Sequence, residues 1–226
     1  MTSPARRHFE RVSAAQAAAD AGEQPMQGEA YELMQAALFE DYRRLKSTQS
    51  MEKKADIKRE ILPNYAEYVS GVLEAGQGAQ DDVLMRIMLW RIDAGDLAGA
   101  IAIAKYAVKY ALTPPDQFER GTAAIIAEEV ADQALKQMDD EGTDSLALLV
   151  HLVEVEHLTE GADMHDQIRA KLYKALGYAL RTANQLDEAH ASLTRALELN
   201  DRIGVKKDLE RLERELKQNA AAQPKG

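Results

Sequence analysis

Residues 171–199 read KLYKALGYALRTANQLDEAHASLTRALEL. In the first half Tyr173, Leu176 and Leu180 recur at intervals of three and four, and in the second Ala189, Leu193 and Ala196 do the same. That spacing puts each set on one face of a helix. Between them Thr182-Ala183-Asn184-Gln185 breaks the pattern with a polar turn. Gly177, Ala189 and Ala196 are small where the two faces meet, so the backbones can close on each other. The stretch predicts a tight helical hairpin.

This order of large and small positions is that of a tetratricopeptide repeat. Residues 95–107 repeat its second half, since Gly95-Asp96-Leu97 leads into Ala100, Ala104 and Ala107. Val83, Leu84, Ile87, Met88 and Trp90 precede them, so 81–111 reads as a second antiparallel pair, ended by Thr113-Pro114-Pro115. Trp90 is expected in the core. The stretch between the hairpins fits the repeat poorly and predicts helices over 122–138 and 144–156, with the polar loop DDEGTD at 139–144. Two hairpins are expected, not a long solenoid. A last charged helix over 204–217 carries Val205, Leu209, Leu212 and Leu216 at near-heptad spacing. It reads as a cap on the repeat or as a self-association or partner helix. Residues 219–226 read as a disordered tail.

Towards the N-terminus, Tyr31, Met34, Leu38 and Leu45 make the apolar stripe of a helix over 29–47. A second helix runs over 51–62 until Pro63 stops or kinks it. A third reaches Ala75, where the glycine-rich EAGQGAQ supplies a C-cap and linker. Residues 1–28 lack a sustained apolar period and read as a flexible basic arm. The expected fold class is all-α. It comprises a helical region over 29–76, in which seven lysines and arginines between 43 and 59 mark an expected DNA-binding region with a helix-turn-helix as one form, and a central helical body over 77–140, a candidate for oligomerisation. A C-terminal helical region over 141–218 carries the tetratricopeptide-like repeat.

Apolar residues make up 46% of the 226, mostly as Ala, Leu, Ile, Val and Met, and there is no cysteine. Disulfides and thiolate metal sites are therefore excluded. No apolar h-region follows the basic N-terminus and the apolar runs are short, so a cytoplasmic protein is expected, with no membrane partner. No GxxxxGK[ST] occurs, which argues against ATP hydrolysis in this chain. Carboxylates are plentiful, but a metal-dependent nuclease needs them to converge. Glu128, Glu129 and Asp132 read as a solvent face. Asp139, Asp140, Glu141 and Asp144 miss the glycine position of a calcium loop. His157, Glu160, Asp163 and His165 read as a polar loop, and His151 and His190 as isolated structural histidines. No catalytic residue, metal or cofactor is expected.

The net charge is −10, but it is unevenly spread. Over 41–60 the cations Arg43, Arg44, Lys46, Lys53, Lys54, Lys58 and Arg59 outnumber the acids, and Arg6, Arg7 and Arg11 form a second basic cluster. The excess negative charge lies after residue 60. A DNA-facing front and an acidic body follow from that asymmetry. Lys54 and Lys58 lie four apart on one helix face. All ten cations are candidate DNA contacts: those over 43–59 to phosphate and bases, the arm to a minor groove. The plainer alternative is a solvated face of ion pairs.

The segments TSPARRHF, GVLEAGQGAQDDVLM, MLWRIDAGDLAGA, EEVA and GVKKDLERLERELK give the chain a resemblance over residues 1–217. It resembles the terminase small subunit of temperate tailed phages of the peduovirus type. The resemblance implies a subunit that recognises a cohesive-end site on concatemeric phage DNA. It implies delivery of that DNA to a large subunit holding the packaging ATPase and nuclease, and assembly into a homo-oligomeric ring. Members of the family are sometimes described as endonucleases directing cohesive-end cutting, and some carry a longer basic tail. The alternatives are a tetratricopeptide-type adaptor without DNA binding and an endonuclease subunit.

Overall fold

The computed structural model describes residues 3–115, 120–140 and 144–222, and all regular structure among them is helical. The chain divides into two compact units, residues 1–122 and 123–226. The boundaries expected after residues 76 and 140 do not coincide with this division. The glycine loop after residue 75 is no free linker: Gly78 N–H donates to the Tyr106 hydroxyl at 2.7 Å, and the Tyr110 hydroxyl donates to the Gly76 carbonyl.

The first unit holds α1 (Pro4–Ala21), α2 (Glu29–Ser47), α3 (Met51–Ile61), a 3-10 turn (Leu62–Tyr65), α4 (Ala66–Ala75), α5 (Asp82–Ala94) and α6 (Leu97–Lys109). Local chemistry sets most of these boundaries. Ser50, Asp81 and Asp96 each accept a hydrogen bond from a backbone N–H of the first turn they cap. Gly95 ends α5 at φ +87°, in the left-handed region glycine enters without strain. Pro63 lacks an N–H, and there the chain tightens into the 3-10 turn. The core is the α5–α6 hairpin. Leu84, Ile87, Met88 and Trp90 of α5 and Ile101, Ala104 and Ala107 of α6 are all buried. The Tyr65 ring meets Trp90 edge-on, with centroids 6.3 Å apart.

The flexible arm expected over residues 1–28 is instead α1, docked lengthwise on α4. Ser3 caps it, Pro4 opens it, and Gly22 closes it at φ +60°. Its contact is made of small residues. Ala14 and Ala18 are fully buried, and a Cβ on Gly71 of α4 would lie 2.2 Å from the Arg11 carbonyl oxygen. Alanines at four-residue spacing carry too little bulk to read as an apolar stripe, but they bury well against glycine.

The second unit holds α7 (Thr122–Met138, its first residue at the boundary), α8 (Ser145–Thr159), α9 (Asp166–Thr182), α10 (Leu186–Leu199) and α11 (Lys206–Ala222). Asp144 caps α8 through Leu146 and Ala147 N–H, and Arg169 caps its other end on the Thr159 carbonyl at 2.6 Å. Helices α9 and α10 are the predicted hairpin. A Cβ on Gly177 would lie 2.6 Å from the Leu193 side chain. Helix α11 lies on this pair with Val205 and Leu212 fully buried, and Tyr178 donates to Asp208 at 3.0 Å. Residues 141–143 of the expected DDEGTD loop and 223–226 of the expected tail lie outside the described residues.

Candidate nucleic-acid interface

The front-end arginines sit on a docked helix, not on a free arm. Arg6 donates to Glu10 on its own helix at 2.8 Å. Arg7 lies 3.9 Å from Glu67 and Arg11 3.7 Å from Glu74, both acids of α4. Arg7 and Arg11 therefore help hold α1 to α4, whereas the Arg6 pair lies within α1. The arm expected to enter a minor groove is not formed.

A three-residue link, Thr48 to Ser50, joins α2 to α3, and the structure sorts the cations around it. Lys58 is only 9% exposed, and its ammonium donates to Asp93 of α5. A buried, paired ammonium is not offered to phosphate, so Lys58 as a DNA contact is corrected to a cation tying α3 to α5. Arg59 donates from Nε to the Ala94 carbonyl at 3.0 Å, the last residue of α5, and from a terminal nitrogen to Asp56 at 2.6 Å. Arg44 grips Glu60 with two hydrogen bonds, 3.1 and 2.7 Å, bracing α2 against α3. That pairing holds the Glu60 carboxyl below the usual carboxylate range and raises the Arg44 guanidinium. Arg43 donates to Glu40 at 3.2 Å with both side chains exposed. Lys54 and Lys58, four residues apart, part company: Lys58 goes inward, while Lys54 is half-buried.

Lys46, Lys53 and Lys54 remain. None has an ion-pair partner among the described residues, and Lys46 and Lys53 are exposed. Lys46 ends α2 and the other two lie in the first turn of α3, so all three flank one elbow. Beside it a shallow recess is lined by Glu40, Arg43, Arg44, Lys46 and Ser47, three cations to one acid. The outward face of α3, in contrast, mixes Glu52, Asp56 and Glu60 with Lys53 and Arg59. The cationic surface is the elbow, not the length of α3.

Among the described residues no three His, Asp or Glu side chains are grouped to hold a metal ion. Glu128 and Asp132 are not simply solvated. Both accept from Lys171 of α9, at 3.3 and 2.7 Å. No helix is long and apolar enough to cross a membrane among the described residues. Trp90 is core, at 4% exposure.

Periodicity left one group of residues unread. Leu33 and Phe39 lie off the buried stripe of α2, Tyr42 lies at its edge, and all three are exposed. The Arg43 guanidinium lies 6.0 Å from the Phe39 ring centroid, and that of Arg86 lies 5.7 Å from Tyr42. The signal was present as large apolar residues on the wrong side of an otherwise regular stripe.

The family model described as the phage small terminase subunit matches residues 35–167. The chain is 47% identical over 225 residues to the terminase, endonuclease subunit of Escherichia phage P2, covering all of this chain and 90% of that one. It is 25% identical over 199 residues to the probable terminase, endonuclease subunit of Haemophilus phage HP1, covering 81% of this chain and 69% of the other. No solved structure matches it significantly. With the family model spanning more than half of an all-helical chain, and a near-full-length relative of high identity, the chain belongs to the phage small terminase subunit family.

Proposed function

We propose that this chain initiates genome packaging. It grips double-stranded phage DNA at the cohesive-end site, assembles with further copies of itself, and hands the DNA to a large subunit that supplies the ATPase and nuclease. The observation that carries the DNA part is the elbow. Of the seven cations over 43–59, four are engaged by carboxylates, whereas Lys46, Lys53 and Lys54 have no such partner among the described residues. Unpaired ammonium groups release condensed counterions when they meet phosphate, which drives binding. The first turn of α3 adds backbone N–H groups that favour an anion. An electropositive elbow on a chain of net charge −10 also orients approach to a polyanion.

The tetratricopeptide-like hairpin α9–α10, with α11 upon it, is the surface assigned to the protein partner. A test of the DNA assignment is binding of a labelled cohesive-end duplex to the chain and to Lys46→Ala/Lys53→Ala/Lys54→Ala. The triple variant should lose at least tenfold in affinity while keeping its thermal midpoint. Undiminished binding would refute the assignment.

Both relatives are named endonuclease subunits, which favours a second reading in which this chain itself cuts. Purified protein with supercoiled DNA and magnesium or manganese, without the large subunit, separates the two. Intact plasmid supports the accessory role, and cutting abolished by carboxylate substitutions supports the second reading.

A further inference from the structure

Helix α2 is nineteen residues long, yet only Tyr31 and Leu45 on it are buried. Its uncovered apolar residues occupy two separate places. Leu33, 58% exposed, lies with Phe9 of α1, 70% exposed, over a hollow between α1 and α2. That hollow has a volume of about 130 Å³ and is floored by Met34 and Tyr68. Cavities of roughly 150 Å³ accept a benzene ring, so this one takes one aromatic side chain. Its rim carries Glu29, and Glu10 already held by Arg6 at 2.8 Å, and the trough continuing beside it along α1 adds Asp20. No lysine or arginine lines either part.

The second place is the opposite in charge. Phe39 stands 61% exposed with Arg43 over its ring, and Lys46 is seven residues on. Arg43 is tied only to exposed Glu40, a pair that opens at little cost. Leu33 and Phe39 are six residues apart, which at 3.6 residues per turn is about 240° around the helix. A chain therefore cannot turn its own Phe39 into its own hollow.

We propose that the α1–α2 hollow receives the Phe39 ring of a second copy, with that copy's Arg43 set against Glu29. An aromatic ring flanked by a cation meets an apolar hollow rimmed by carboxylates, so shape and charge both match. Because knob and hollow are different surfaces of each chain, the contact is head-to-tail. Such contacts propagate, closing into a ring or running on as a filament. This rests on the self-assembly reading above and names its surfaces. It also moves Arg43 from the DNA contacts to the contact between copies. Lys46, two turns beyond Phe39 on the same side of α2, borders the contact, so assembly would array the elbows.

The test uses the full chain and two variants, Leu33→Asp and Phe39→Asp. Both residues are exposed, so each variant should keep the helical content and thermal midpoint of the parent. Native mass spectrometry should find the parent assembled and each variant alone as a single chain, with association weakened at least tenfold. Mixed in equal amounts, the variants should form a dimer and nothing larger. Phe39→Asp keeps a working hollow and Leu33→Asp a working knob, so one sound contact is available. Variants that stay assembled, or a mixture that stays as single chains, would overturn the contact while leaving assembly standing. A parent that is itself a single chain would remove the assembly reading.

Discussion

At the scale of single residues, charge in the sequence did not reveal which charges are spoken for. Lys58 looks like its neighbour Lys54 until the fold turns it onto α5 and Asp93. The pair is lopsided: the Lys58 side chain is 11% exposed and that of Asp93 41%. Removing the acid strands a buried ammonium, whereas replacing the lysine by methionine leaves an apolar stem and a carboxylate that water can reach. Asp93→Ala should therefore cost about 2–3 kcal/mol and Lys58→Met less than about 1.5 kcal/mol, read from urea midpoints. An equal or reversed order would show that the buried cation is not what the pair protects.

Asp81 is a second such residue. It caps α5, accepting from Leu84 N–H at 2.8 Å and from the Tyr68 hydroxyl at 2.7 Å. Burial pushes its carboxyl up to about 6, against the hydrogen bonds that favour the charged form. An ordinary aspartate in the unfolded chain loses its proton near pH ~4. Between these values the folded state holds a proton that the unfolded state has released. Its stabilising contribution is therefore full at low pH and lost as pH rises through about 6. The size is on the order of 3 kcal/mol. Asp81→Asn should flatten that part of the stability profile between pH ~4 and ~6. A profile in that window unchanged by the substitution would contradict the assignment. The sequence marked Asp81 only as the start of a helix, because Tyr68 reaches it through tertiary structure.

At the scale of elements, the sequence was read well where local chemistry decides. The turn at Gly95, the break at Pro63 and the hairpin about Gly177 all follow from short-range rules. Helix α1 was missed although Ser3-Pro4 and Gly22 bracket it, because its partner face is visible only with α4 alongside. That contact is also the tightest backbone approach described. A Cβ at position 71 meets the backbone carbonyl of Arg11, which cannot swing aside like a side chain. Gly71→Ala should destabilise the first unit by about 1–3 kcal/mol, as overpacking does. Amide exchange should show the loss first in residues 4–21, with α5 and α6 protected longest. Uniform loss of protection would mean that α1 is not a separately docked element.

At the scale of the whole molecule, a net charge of −10 conceals a local positive elbow. Asymmetry along the sequence marked a stretch of seven cations, four of which the fold pairs with carboxylates, since ion pairs across helices cannot be read from spacing. Arg44 with Glu60, sixteen residues apart, is the plainest instance. The family was legible from long sequence blocks, whereas the uncovered sides of α2 were not, because they are defined by what fails to pack on them.

The most direct test of the central claim is the salt dependence of cohesive-end duplex binding by the parent chain and by the Lys46, Lys53 and Lys54 triple alanine variant. If each lysine neutralises one phosphate, the slope of log affinity against log salt should become shallower by about 2 to 3 per bound chain. Equal slopes for the two proteins would place the phosphate contacts elsewhere and contradict the account.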